Sequence, residues 1–271
     1  MLSQAARAAS PSGLRAVARA WAARSGGAPA FSAIPLSSFS SWARQAGLRS
    51  PYRRDIDPEV ALYGLIGANV AVFGAWRASD ARPALRSALT RHTVSSPSAI
   101  LAGRPWTLLT AAFSHRDTTH MLINMVTLFF FGGSVGRRYG GRRLIGLYLA
   151  AGVAGSAAQA GADAARCASR PPGFRRDACI SAAPGCLGAS GAVNGILALS
   201  ILANPRATVL VYGILPVPAF ILGGLYVLQD LRGASRGGGG GGGGVAHWGH
   251  LSGAAVGAAV WAARVRTGRW W

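Results

Sequence analysis

Three short polar islands in an otherwise apolar, arginine-flanked chain carry residue types that can do chemistry together. The first is residues 185–195, Gly-Cys-Leu-Gly-Ala-Ser-Gly-Ala-Val-Asn-Gly, where Ser190 sits among small residues at the predicted start of an apolar helix. A serine there is either a small residue for close helix packing or a nucleophile held in a glycine-permitted turn. The second island is His120-Met-Leu-Ile-Asn124, whose two polar residues are four apart and project from one helix face. The third is His247-Trp-Gly-His250. A serine hydroxyl becomes a useful nucleophile when a neighbouring base takes its proton, and an imidazole does this near neutral pH. The oxyanion that forms needs donors, and the Ser190 backbone N–H, the Asn124 amide and a His120 N–H are available.

Small residues tell which groups can meet. Gly191 and Gly195 are four apart, as are Gly253 and Gly257. Such spacing lets two helix backbones approach closely. His250 lies three residues before Gly253 and Ser190 immediately precedes Gly191, so facing stripes would bring the hydroxyl and the imidazole within about 3 Å. That register selects His250 over His247 as the base, and His247 reads as a loop or interface histidine. His115 reads as a structural hydrogen-bonding group. Asn69 and Gln159 read as packing or interhelical hydrogen-bond residues. Asp230 reads as the solvated end of a helix. With no acid placed to orient the histidine, the expectation is a Ser190–His250 dyad.

The elements that must position these residues are membrane helices. The chain has 271 residues, 51% of them hydrophobic, a net charge of +20, no lysine and only eight acids. Its arginines flank long apolar runs, which fits a polytopic membrane protein and not a nucleic-acid surface. The length suits about six spans of roughly 20 residues. These are expected over 60–76, over 125–135 with a helix start near Thr118 or Thr119, over 144–161, over 190–203, over 209–228 with a kink at Pro216 and Pro218, and from 245 to about 265. Gly132 and Gly133 are expected to end the second run. A polar connection at 77–105 leads into an interfacial anchor at Trp106, Leu108 and Leu109, and 162–186 is a loop outside the bilayer. With six spans, the second, fourth and sixth all start from one side, which sets the three islands at a similar depth.

Residues 1–54 contain arginine, alanine and serine but no acid, the composition of an organellar transit peptide. The density of arginine favours a mitochondrial over a chloroplast destination. A mature membrane domain is then expected over 55–271. Eight glycines at 237–244 form a linker. The spacing of Cys167, Cys179 and Cys186 fits no zinc pattern and leaves either a Cys167–Cys179 bridge or three thiols.

His120-Met-Leu-Ile-Asn124 with Gly132-Gly133, Gly188-Ala-Ser-Gly-Ala192 and His250-Leu-Ser-Gly253, in that order and spacing, resemble the rhomboid intramembrane serine proteases. The basic N-terminus and Phe113-Ser-His115 resemble the plant mitochondrial branch. The resemblance covers the chain from about Trp106 onward. It implies an all-α membrane protein with a six-helix rhomboid-like bundle in the mitochondrial inner membrane. It also implies hydrolysis of peptide bonds in or near the transmembrane segments of single-span or other membrane proteins. Ser190 would be the nucleophile and His250 the general base, with His120, Asn124 and the Ser190 N–H lining the oxyanion hole. No metal or organic cofactor is implied. The family commonly has Ala-His-x-Gly-Gly around the base, where this chain has Gly249-His-Leu-Ser-Gly253. A catalytically silent relative that binds transmembrane segments would lack the serine or the histidine, and both are present. A transporter would show an inverted repeat, which the sequence lacks.

Overall fold

A computed structural model describes residues 55–171, 173–211, 214–235 and 245–268. The basic 1–54 segment, the glycine run and the two terminal tryptophans lie outside the described residues.

Helix α1 (Pro58–Ala78) starts where the first acids fall: the Asp57 carboxylate accepts from the Glu59 and Val60 N–H groups, and Pro58 fixes the first turn. The connection that follows holds short helices α2 (Pro83–Thr93), α3 (Pro97–Leu101) and α4 (Thr107–Thr110), each of the first two begun by a proline. Of the residues expected to form an interfacial anchor, Trp106 and Leu109 are exposed and Leu108 is half-buried.

The second long helix is capped by Asp117, whose carboxylate accepts from the His120 N–H at 2.7 Å. The threonines expected as caps are its first residues instead. Helix α5 (Thr118–Thr127) passes through a π-turn at Leu128–Gly132 into α6 (Gly133–Tyr139). Gly132 and Gly133 therefore do not end the run. They lie inside it, where a side chain on either would meet Leu62 of α1 at 3.2–3.4 Å. The chain turns at Gly140, with φ of 100°, into α7 (Gly141–Ala168).

Helix α7 is the hub of the fold. Its Leu144, Leu147, Tyr148 and Ala151 are fully buried, and it packs on α1 and on two helices introduced next. It runs seven residues beyond the expected end at 161, so its last turns replace part of the predicted loop. A disulfide from Cys167 to Cys179 ties that end to α8 (Arg176–Ala182) and leaves Cys186 as a thiol. Helix α9 (Ser190–Ala203) has the bounds read from the sequence. After it, residues expected to begin a kinked fifth span form a hairpin, β1 (Thr208–Val211) against β2 (Leu215–Pro218), antiparallel. Thr208, Val209 and Val217 suit strands, and two prolines in three residues disfavour a helix there. Helix α10 (Ala219–Ser235) thus starts ten residues later than expected and extends seven further. Helix α11 (His247–Thr267) closes the fold.

Among the described residues, three segments, Pro58–Ala81, Thr118–Tyr139 and Gly141–Ala168, are long and apolar enough to cross a membrane, and Ser190–Ala203 is a shorter apolar helix. Tyr148 links three parts of the chain. Its hydroxyl donates to the Ala112 carbonyl at 2.7 Å and accepts from the Asn69 amide at 2.8 Å. Asn69 is thus the interhelical hydrogen-bonding residue expected. Gln159 bonds within α7, to Asp163 at 3.3 Å.

Candidate functional site

Glycine contacts bring the helices of the site together. A side-chain carbon on Gly253 would collide with the Gly191 carbonyl oxygen, and one on Gly257 with that of Gly195. The stripes on α9 and α11 therefore face each other in the register read from the sequence. Helix α7 joins the seam: a side chain on Gly155 would come 2.9 Å from the Gly249 carbonyl oxygen and 3.3 Å from Gly191. Only glycine permits this three-helix approach. It puts the start of α9, with Ser190, beside the first turn of α11, with His250.

The loop before Ser190 is held at three points. Ser95 and Cys186 exchange backbone hydrogen bonds at 2.9 and 2.7 Å. The Gly188 N–H donates to the Ala111 carbonyl at 2.9 Å. The Ala189 N–H donates to His115 Nε2 at 3.2 Å. His115 is thus the structural group expected. Burial, and then the neighbouring His120, lower its pKa from 6.5 to about 4, so Nε2 keeps its lone pair at neutral pH. The half-buried Cys186 has its thiol in apolar surroundings that, with Asp163 as a smaller cause, push it up to about 11. A thiol so high is a poor nucleophile.

Gly188 takes φ of 127°, a backbone state that favours glycine. The His120 ring lies against it, since a side-chain carbon at Gly188 would come 2.6 Å from His120 Cε1. His120 also stacks edge-on against His115, with ring centroids 5.2 Å apart. Asn124 is buried one turn further along, and its amide donates to the His120 carbonyl at 2.8 Å. Ser190, His120, Asn124 and His250 therefore come from three helix starts that the fold gathers at one end.

Asp230 differs from the sequence reading. It is 4% exposed, not a solvated helix end. Its Oδ1 accepts from His250 Nδ1 at 3.1 Å and from His247 Nδ1 at 2.7 Å. An acid is therefore placed at the histidine, against the expectation that none would be, and His247 is its second partner, an interface histidine between α10 and α11. Because α10 runs from Ala219 to Ser235 and does not end at 228, Asp230 falls in its fourth turn, facing α11. Tyr226, one turn earlier, stacks on the His250 ring at 6.0 Å between centroids. The sequence signal was a lone acid with Tyr226 and Gly233 on its own helix face.

The Rhomboid domain family matches residues 102–267, which include His115, His120, Asn124, Ser190, Asp230 and His250. The chain belongs to the rhomboid family. It is 40% identical over 216 residues to RHOMBOID-like protein 12, mitochondrial, of Arabidopsis thaliana, a match covering 79% of this chain and 60% of that one. Rhomboid-like protein 16, chloroplastic, from the same plant is 32% identical over 77% of this chain and 63% of its own length. Rhomboid protein 1, mitochondrial, of Saccharomyces cerevisiae is 31% identical over 63% of this chain and 42% of its own. The matched region thus spans about three fifths or less of each relative.

Proposed function

We propose that this rhomboid is an intramembrane serine endopeptidase of six spans that cleaves peptide bonds in or near the transmembrane segments of membrane proteins. The observation that carries the reading is the Gly191–Gly253 crossing, which sets the helix start bearing Ser190 beside the one bearing His250. In the reaction, the Ser190 Oγ proton passes to His250 Nε2 as Oγ bonds to the substrate carbonyl carbon. The negative oxygen is met by the Ser190 N–H, His120 and Asn124. His250 then gives its proton to the leaving amide nitrogen as the C–N bond breaks, and water repeats the sequence on the acyl-enzyme. The anchored loop before Ser190 keeps these donors in place before substrate arrives.

The relatives support a mitochondrial location, and the inner membrane is the reading that fits an arginine-rich leader. With the N-terminus in the matrix, the site faces the intermembrane space. The Cys167–Cys179 disulfide lies at that same end of α7 and suits an oxidising compartment. The test is cleavage of a single-span reporter in liposomes. Wild type is expected to cut it, and Ser190→Ala and His250→Ala to leave it intact. A folded wild type that cuts no reporter in a panel would overturn the reading in favour of a silent binder of transmembrane segments.

A further inference from the structure

The geometry points to Asp230 as a positioning residue that fixes the tautomer and orientation of His250, making a Ser190–His250–Asp230 relay whose acid comes from α10. This inference rests on the protease reading above. Three observations carry it. The Asp230 carboxylate is buried where an unpartnered charge would be costly, and its Oδ1 meets the Nδ1 atoms of both His250 and His247. The His250 ring is held on its face by Tyr226, from the same face of α10. The His247 ring occupies the space that a side chain on Gly233 would fill, one turn beyond Asp230. Tyr226, Asp230 and Gly233 thus form one cradle on α10 for two rings on α11.

The chemical consequence follows from the imidazole. A neutral ring carries its proton on one nitrogen only. A carboxylate at Nδ1 holds the proton there, which leaves the lone pair on Nε2, the nitrogen needed to accept the Ser190 proton. When Nε2 takes that proton, the imidazolium is stabilised by the carboxylate beside it, and Asp230 itself takes no proton. The second donor, His247, bonds to the same Oδ1 and keeps the carboxylate from turning away. An amide at position 230 can present its N–H₂ to Nδ1, which moves the ring proton to Nε2 and removes the base.

The test uses the purified full chain in liposomes with a fluorogenic single-span reporter, comparing wild type, Ser190→Ala, Asp230→Asn and Asp230→Glu. Asp230→Asn is expected to lower kcat on the order of 10²–10⁴-fold with KM within about twofold, as loss of an orienting carboxylate does elsewhere. Asp230→Glu is expected to recover part of it. A second measurement needs no variant at this position. Histidine 15N spectra of the wild type at about pH 8 should show His250, assigned by its loss in His250→Ala, as a neutral ring protonated on Nδ1. Full kcat in a folded Asp230→Asn, or an Nε2-protonated His250 in the wild type, overturns the relay and leaves the protease reading standing. A wild type as silent as Ser190→Ala removes the reading beneath it.

Discussion

Replacing Gly253 by alanine should separate the two helices that carry Ser190 and His250, the proposed nucleophile and base. An added Cβ would lie 2.7 Å from the Gly191 carbonyl carbon, 3.1 Å from its Cα and closer still to its oxygen. Carbon contacts relax near 3.5 Å, so α9 and α11 must part by roughly 1 Å at this level. Neither partner can yield by turning a side chain, because both sides are backbone. Overpacking of this kind costs about 1–3 kcal/mol of stability. The effect on rate is larger than that of stability alone, since about 1 Å of misplacement between reacting groups costs on the order of 10²-fold. The assay is initial cleavage rate in liposomes beside thermal unfolding of the same preparation. Gly161→Ala and Gly64→Ala are the controls, since nothing lies within 4 Å of either added carbon. Both should keep the wild-type rate. A Gly253→Ala protein with full activity and unchanged melting would refute the claim that this crossing sets the site.

Tyr148→Phe removes a buried hydroxyl that bridges Asn69 and the Ala112 carbonyl, and should lower stability by about 1–3 kcal/mol in a denaturation assay. Reduction of the Cys167–Cys179 disulfide, or Cys167→Ser, should cost about 2–3 kcal/mol, and alkylation of the unfolded protein should then find the added thiol chemistry by mass. His115 gives a pH dependence. Its folded pKa, about 4, lies below its ordinary 6.5, so the neutral form is the one the fold prefers. Its contribution is complete above pH 6.5 and is lost as pH falls toward 4, by about 3 kcal/mol at most. Melting of Ser190→Ala should drop through that window, and adding His115→Gln should flatten the drop.

The seam of the site was legible because glycines four apart constrain backbones directly. Gly191, Gly195, Gly253 and Gly257 meet in the expected register whatever the side chains around them do. The start of α9 was legible for the same local reason, a glycine-rich turn before an apolar run. Asp230 was not. An apolar stretch ending at Leu228 reads as the end of a span, and the prolines at 216 and 218 read as a kink within it. In the fold those prolines close a hairpin, which delays α10 and carries the acid into its interior. The choice depends on a pairing between strands that no single helix pattern encodes. The Cys167–Cys179 pairing was open for a similar reason: it forms because α7 runs on to Ala168, beyond the apolar stretch that marked its end.

The most direct test of a serine nucleophile is covalent capture. The purified protein would be treated with a fluorophosphonate, digested, and its modified residue located by mass spectrometry. Modification of Ser190 that disappears in His250→Ala is the predicted result, because the hydroxyl reacts only when a base takes its proton. Wild-type protein that is folded yet unmodified at Ser190, or labelled equally with and without His250, would contradict it.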